Sequence, residues 1–285
     1  MPVIAEEFKQ SLKMTEAEEP LDLFFYRPIA FVLVKAVYRL PITPNQVTLL
    51  SGLFGLAAGW CFSRGSSLLG AAAACYALAN ILDCSDGQLA RLQGSGTQFG
   101  RVIDGVTDYI ASVAIFAGIG VGLSAAGDPA WLLVIAAGIS SAVHALFFDH
   151  HQNEFITIAR GERHSLSRER EKYEAILQTS EHSPRNFLTR SFLRLYVGYL
   201  QIQQRVYRAG NERESDPDAY RRRNRTMIRL WSVLGPTTNR SVLIVCALAG
   251  RPDIYLWTVL TAGNLWLLFC TLLQRHMYPR PHQKL

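Results

Sequence analysis

Four aspartates lie between positions 83 and 108, in the stretch DCSDGQLARLQGSGTQFGRVIDGVTD. Asp83 and Asp86 stand at i, i+3, and Asp104 and Asp108 at i, i+4, so each pair shares one face of a helix. The flanking sequence is apolar enough to lie in a membrane, where a carboxylate is costly and marks function. Four such groups repel one another unless cations bind between them. Oxygen ligands with no His or Cys beside them suit Mg²⁺ or Mn²⁺ rather than zinc. One carboxylate pair on each of two helices suits a two-metal site gripping a phosphate or diphosphate. A patch neutralised by arginines is the alternative, but Arg91 and Arg101 alone cannot balance four carboxylates.

The neighbours narrow the chemistry. Gly87 lets a ligand approach the backbone closely, and Arg91, one turn further on, offers a planar fork to a phosphate. Ala90 is small, and Gly100 opens the second helix where bulk would hold the carboxylate pairs apart. Asp83, Asp86, Gly87, Ala90, Arg91, Gly100, Asp104 and Asp108 spell D-x2-D-G-x2-A-R-x8-G-x3-D-x3-D. At these residues the chain resembles the CDP-alcohol phosphotransferase (phosphatidyltransferase) family. The segment Thr43-Pro44-Asn45-Gln46-Val47-Thr48 is similar to that family's entry into its first membrane helix.

The resemblance implies a phospholipid-synthesising enzyme. Asp83, Asp86, Asp104 and Asp108 would hold Mg²⁺ (or Mn²⁺), with the diphosphate of a CDP-linked substrate on the metals. Asp83, Gly87, Ala90 and Arg91 would hold the nucleotide end. Asp108 would be the general base for an alcohol acceptor, whose oxygen attacks the β-phosphorus and releases CMP. CDP-diacylglycerol with a polar acceptor is the leading substrate pattern. The alternative is transfer of a CDP-linked choline, ethanolamine or polyol headgroup to a lipid alcohol. A UbiA-type membrane prenyltransferase also grips a diphosphate between Asp-rich motifs, but those are well separated, whereas here both pairs lie in one hairpin. The family is commonly dimeric, and the resemblance allows a homodimer.

The elements that position these residues are membrane helices. Uncharged runs occupy 47–63, 65–82, 109–127, 129–148 and 254–273, each near the ~20 residues that cross a bilayer. A sixth span is expected over 227–250, interrupted by Arg229 and Arg240. The fold expected is therefore an all-α integral membrane protein with about six transmembrane helices, an N-terminal amphipathic surface helix and a helical cytoplasmic insert. Its parts are an N-terminal segment (1–44), spans one to four with the motif (45–149), a basic insert (150–226), spans five and six (227–276) and a tail (277–285). Gly and Ala are frequent in the spans and permit close helix packing.

Of the 29 Lys and Arg, 15 lie in residues 150–227 and five precede Pro44. The opposite connections hold only Arg64 and Arg251. The positive-inside rule places both termini, an 87–99 loop, the insert and the aspartates on the cytoplasmic side of a multi-pass protein, with a bacterial inner membrane expected. Residues 1–22 carry eight charged side chains, six of them acidic, which is unlike a secretory signal. Residues 21–40 suit a helix along the membrane surface.

Within the insert, 165–178 reads as a charged helix. Over 185–208, aromatic and basic residues alternate in a pattern suited to membrane lipid headgroups or to covering the site. No nucleic-acid partner is expected. Arg240 is the other candidate, since an intramembrane arginine calls for an anionic partner, either a carboxylate or a substrate phosphate. The resemblance implies an acceptor-binding role, because relatives with phosphorylated acceptors hold the phosphate with basic residues near this region. The preceding Gly235-Pro236 pair predicts a helix break. His144, His150 and His151 read as structural, and the five cysteines as small apolar residues.

Overall fold

The computed structural model describes residues 2–127, 130–161, 198 and 216–277, all helix and connection with no strand among them. Most of the expected insert, including 165–178 and nearly all of 185–208, lies outside the described residues, as does the tail beyond Met277. Five helices are long and apolar enough to cross a membrane: Pro44–Ser63, Gly65–Gln93, Gly100–Ala125, Trp131–Ala159 and Pro252–Met277. The chain is an all-α multi-pass membrane protein.

We number the helices α1 (Pro2–Ser11), α2 (Arg27–Val37), α3 (Pro44–Ser63), α4 (Leu69–Gln93), α5 (Gln98–Ala125), α6 (Trp131–Ala159), α7 (Pro217–Trp231), α8 (Pro236–Leu248) and α9 (Pro252–Met277). The expected sixth span is not one continuous helix. It ends at Trp231, passes through a tight turn, and restarts at Pro236 after extended Gly235. Proline fits this start because the first helical turn has no partner for its missing N–H. The 13 residues of α8 are fewer than the ~20 of a full crossing. α6 runs on past 149 to Ala159, and α7 begins at Pro217, within the range expected for the insert.

The spans keep apolar residues outside as well as inside. Leu49, Leu53, Leu56 and Trp60 form an exposed stripe on α3 at helical spacing, and Leu132, Ile135 and Ile139 form one on α6. Such faces suit lipid rather than water. Inside, Ala58, Phe62, Ala72, Ile115, Ile119, Leu243 and Leu256 join α3, α4, α5, α8 and α9 in one core. α3 and α5 lie nearly backbone to backbone. A methyl on Gly59 would sit 2.6 Å from the Ala114 carbonyl oxygen. This is the close approach that small residues permit in lipid.

α2 follows a π-helical turn at Asp22–Tyr26 and lies against α4. It buries Arg27, Ala30, Phe31 and Val34 and leaves Phe24, Phe25, Ile29 and Val32 on the outside. His144 is fully buried, bonded through Nε2 to Asn264 Oδ1 at 3.1 Å, beside a π-helical turn in α9. That arrangement agrees with a structural histidine. All five cysteines are free thiols, four of them buried.

Candidate active site

α3 opens with a reciprocal cap. The Thr43 amide donates to Gln46 Oε1 at 2.9 Å, and the Gln46 amide donates to Thr43 Oγ1 at 3.4 Å. Pro44 fills the first helical position. One turn on, Thr48 Oγ1 lies 2.5 Å from Asp86 Oδ2 and donates to it. The TPNQVT segment thus starts a span and delivers a hydroxyl to the motif.

α4 carries Asp83, Asp86, Gly87, Ala90 and Arg91 on a single helix, which corrects the expectation of a loop beginning at 87. Leu89 and Leu92 pack inward and sustain the helix to Gln93, where Gly94 ends it in the left-handed conformation at φ 61°. The Ser95 amide then closes onto the Ala90 carbonyl at 3.0 Å. After this short turn Thr97 caps α5, its Oγ1 accepting from the Gly100 amide at 2.9 Å. A side chain at Gly100 would meet Asn45 Oδ1 at 2.9 Å, so glycine there lets α5 close on the start of α3.

This hairpin gathers carboxylate oxygens of Asp83, Asp104 and Asp108 within 4.8 Å of one another. Asp86 stands apart, buried and turned to Thr48. Among the described residues Asp104 Oδ1 is buried without a hydrogen-bond partner. Buried carboxylate oxygens of this kind need a cation or a proton. Three hard oxygen donors from two helices, one of them unsatisfied, fit Mg²⁺ or Mn²⁺.

Arg240, on α8, supplies the nearest counter-charge. Nη1 donates to Asp83 Oδ2 at 2.8 Å and to Asn80 Oδ1 at 2.9 Å, while Nη2 donates to Asp108 Oδ2 at 2.7 Å. Of the two partners open to it from the sequence, the structure shows the carboxylates. Ser51, Tyr76, Asp108, Ser112 and Arg240 line a small gap behind this bridge, with room for about one water.

Arg91 does not reach the carboxylates. Its guanidinium folds back over Gly87, whose missing side chain leaves room for it at 3.2 Å. Its Nε donates to the Ser11 carbonyl at 2.5 Å, and among the described residues its buried Nη2 has no partner. Gln88 Nε2 completes the contact with Ser11 Oγ at 3.1 Å and the Arg27 carbonyl at 3.3 Å.

The N-terminal segment also holds α8. Glu19 Oε1 accepts from the Thr237 amide at 3.1 Å, and Oε2 accepts from the Thr238 amide and hydroxyl, each at 2.8 Å. Asp22 accepts from Thr237 Oγ1 at 2.9 Å, and Glu18 pairs with Arg27 at 2.9 Å. Burial, together with the nearby charge of Asp22, pushes the Glu19 carboxyl up to about 8. Sequence reasoning missed Thr48, Asn80, Ser11 and Glu19. Asn80 could have been found, because it sits one turn before Asp83 on the same helical face.

The site is thus a cluster of carboxylates on a two-helix hairpin within an all-helical membrane bundle. Residues 41–179 match the CDP-alcohol phosphatidyltransferase family model. Among relatives, the chain is 33% identical over 103 residues to the archaetidylinositol phosphate synthase of Pyrococcus horikoshii, covering 36% of this chain and 54% of that protein. It is 35% identical over 85 residues to the phosphatidylinositol phosphate synthase of Corynebacterium glutamicum, covering 30% and 38%. With the phosphatidylinositol phosphate synthase of Mycolicibacterium smegmatis it shares 37% over 95 residues, covering 33% and 40%. The matches therefore span about half or less of the relatives' own length.

Proposed function

We propose that the protein is a phospholipid-synthesising transferase that moves a phosphatidyl group from CDP-diacylglycerol to an alcohol acceptor and releases CMP. The gathering of Asp83, Asp104 and Asp108 on the family's own hairpin carries this reading. These three, with Asp86 after a turn of its side chain away from Thr48, would hold Mg²⁺ or Mn²⁺, which when bound neutralises charge growing on the leaving phosphate. Gly87, Ala90 and Arg91 hold the nucleotide end, Arg91 turning from Ser11 to a phosphate. Asp108 takes the proton of the acceptor hydroxyl. The new oxygen–phosphorus bond forms as the bond to CMP breaks, so charge and atoms balance.

An apolar cavity of about 280 Å³ supports a lipid donor. Leu33, Val37, Val47, Leu50 and Leu89 line it between α2, α3 and α4, beside the helix carrying the motif. The relatives' names, each a synthase of an inositol phosphate lipid, favour a phosphorylated polyol as acceptor. Arg240 would receive that phosphate once its carboxylates are engaged by cations. The basic residues of α7 and the insert favour an active site on the cytoplasmic side of the membrane. A homodimer is compatible with the small-residue helix faces.

The test is incubation in lipid with Mg²⁺, CDP-diacylglycerol and a panel of acceptors that includes inositol phosphate, followed by mass spectrometry of CMP and lipids. Mg²⁺-dependent CMP with a new phosphodiester lipid is expected. CMP release only from a CDP-linked headgroup and a lipid alcohol would replace the proposed substrates. Consumption of an isoprenoid diphosphate without CMP would overturn the reaction class.

A further inference from the structure

At the far end of α6, on a helix that carries none of the four motif aspartates, His150, His151 and Glu154 present one nitrogen or oxygen each within 4.8 Å of one another. Adjacent histidines on a helix diverge by about 100°. Glu154 lies three residues from one and four from the other, so its carboxylate falls between them. His151 Nδ1 stands 3.6 Å from Glu154 Oε2, and His150 Nε2 stands 3.9 Å from the same oxygen. Both separations are too long for a hydrogen bond. They lie close to the spacing of two donors on one tetrahedral ion, about 3.3–3.5 Å for bonds of about 2.0–2.1 Å. The histidine side chains are only 13% and 12% exposed, and that of Glu154 is 32% exposed.

The rings are held in place. His151 stacks on Trp231 with centroids 4.1 Å apart and planes 25° apart, and His150 meets His151 edge to face at 5.1 Å. Trp231 is itself buried, and its Nε1 donates to Gln274 Oε1 at 3.2 Å. One imidazole face is thus fixed against a rigid indole, which limits how far the His151 ring can turn.

We propose that His150, His151 and Glu154 form a second metal site, for a zinc-class transition ion. Two imidazoles and a carboxylate select such an ion over Mg²⁺, while the all-oxygen aspartate site prefers the reverse. The three ligands leave a fourth position for water or another donor. All three ligands belong to α6, and the site lies beside Trp231, the last residue of α7, where the chain turns toward the start of α8 and Arg240.

The test uses the full chain in lipid nanodiscs, stripped with chelator and held in excess Mg²⁺ so that the aspartates are occupied. Zn²⁺ is titrated by calorimetry, and Co²⁺ by its visible spectrum and by quenching of tryptophan fluorescence. One saturable equivalent is expected, with His150→Ala and Glu154→Gln each weakening it about ten-fold or more. Trp231→Phe should keep binding and lose most of the quenching. Glu154→Gln preserves shape, so its effect is read on a folded protein whose melting temperature is checked without zinc. Zn²⁺ binding that is absent under excess Mg²⁺, or unchanged in both ligand variants, overturns the site. A histidine–glutamate ion pair alone would give the first result, and zinc held elsewhere the second.

Discussion

Arg91 donates its Nε to the main-chain carbonyl of Ser11. The motif arginine is therefore held by the chain's own N-terminal segment, with its second terminal nitrogen left unsatisfied. An arginine in that state is poised to exchange one carbonyl for a bidentate phosphate, the stronger partner. Arg91→Gln should lower kcat/KM for the CDP-linked donor by ~10–100-fold, from about 1.5–3 kcal/mol of charged hydrogen bonding. Steady-state kinetics with varied donor checks this; a change confined to the acceptor KM would reassign the residue.

Asp108 and Asp83 should separate by role. Asp108→Asn is expected to lose ~10²–10⁴ in kcat, the usual worth of a general base. Asp83→Ala should lose more, because it removes a metal ligand. Single-turnover rates at saturating Mg²⁺ compare them, and near-wild-type rates for both would exclude the assignments.

Arg240 neutralises two carboxylates that face each other across α4 and α5. Arg240→Gln removes charged hydrogen bonds to both and should destabilise by about 1.5–3 kcal/mol. Added Mg²⁺ should then raise the melting temperature of the variant more than that of the wild type. Equal Mg²⁺ shifts in the two proteins would mean that the arginine and the metal do not share these carboxylates.

Glu19 gives a pH dependence with a definite sign. The folded protein keeps this proton up to about 8, while in the unfolded chain the carboxyl titrates near 4.5. Its contribution to stability is therefore fully present below about 4.5 and declines as pH rises toward about 8. In melting curves from pH 5 to 9, the lead of wild type over Glu19→Gln should shrink with rising pH. A lead that grows with pH would contradict the burial-driven shift.

The α3–α5 contact predicts a contrast between two glycines. Gly59→Ala drives a methyl into the Ala114 backbone and should destabilise by about 1–3 kcal/mol. Gly70→Ala meets nothing within 4 Å and should be neutral or slightly stabilising. Thermal melts in one detergent measure both.

Much of this arrangement was legible in the chain. The spacing of Asp83, Asp86, Asp104 and Asp108 obeys helical periodicity, a local rule, and the Gly235-Pro236 break follows from backbone chemistry. The end of α4 was placed too early because Gly87 was read as a loop residue, although Gly94 is the one with the left-handed backbone. Arg240 was recognisable as a buried cation, but its choice of Asp83 and Asp108 depends on how α8 packs. Glu19 was invisible for the same reason, since the amide it accepts from lies 218 residues away. It counted only as one of six acids that argue against a secretory signal. Glu154 went unread because nothing in its neighbourhood distinguishes a shared carboxylate from a solvated one.

The bridge from Asp83 to Arg240 joins residues 157 positions apart, and that from Asp108 joins residues 132 apart. A ribosome feeding this chain into a bilayer delivers the aspartate hairpin long before the arginine is synthesised. The nascent protein therefore passes through a stage in which Asp83 and Asp108 are in the membrane without Arg240. During that interval protons, ions or an insertion partner must shield them, and assembly of the active site coincides with arrival of the last helices.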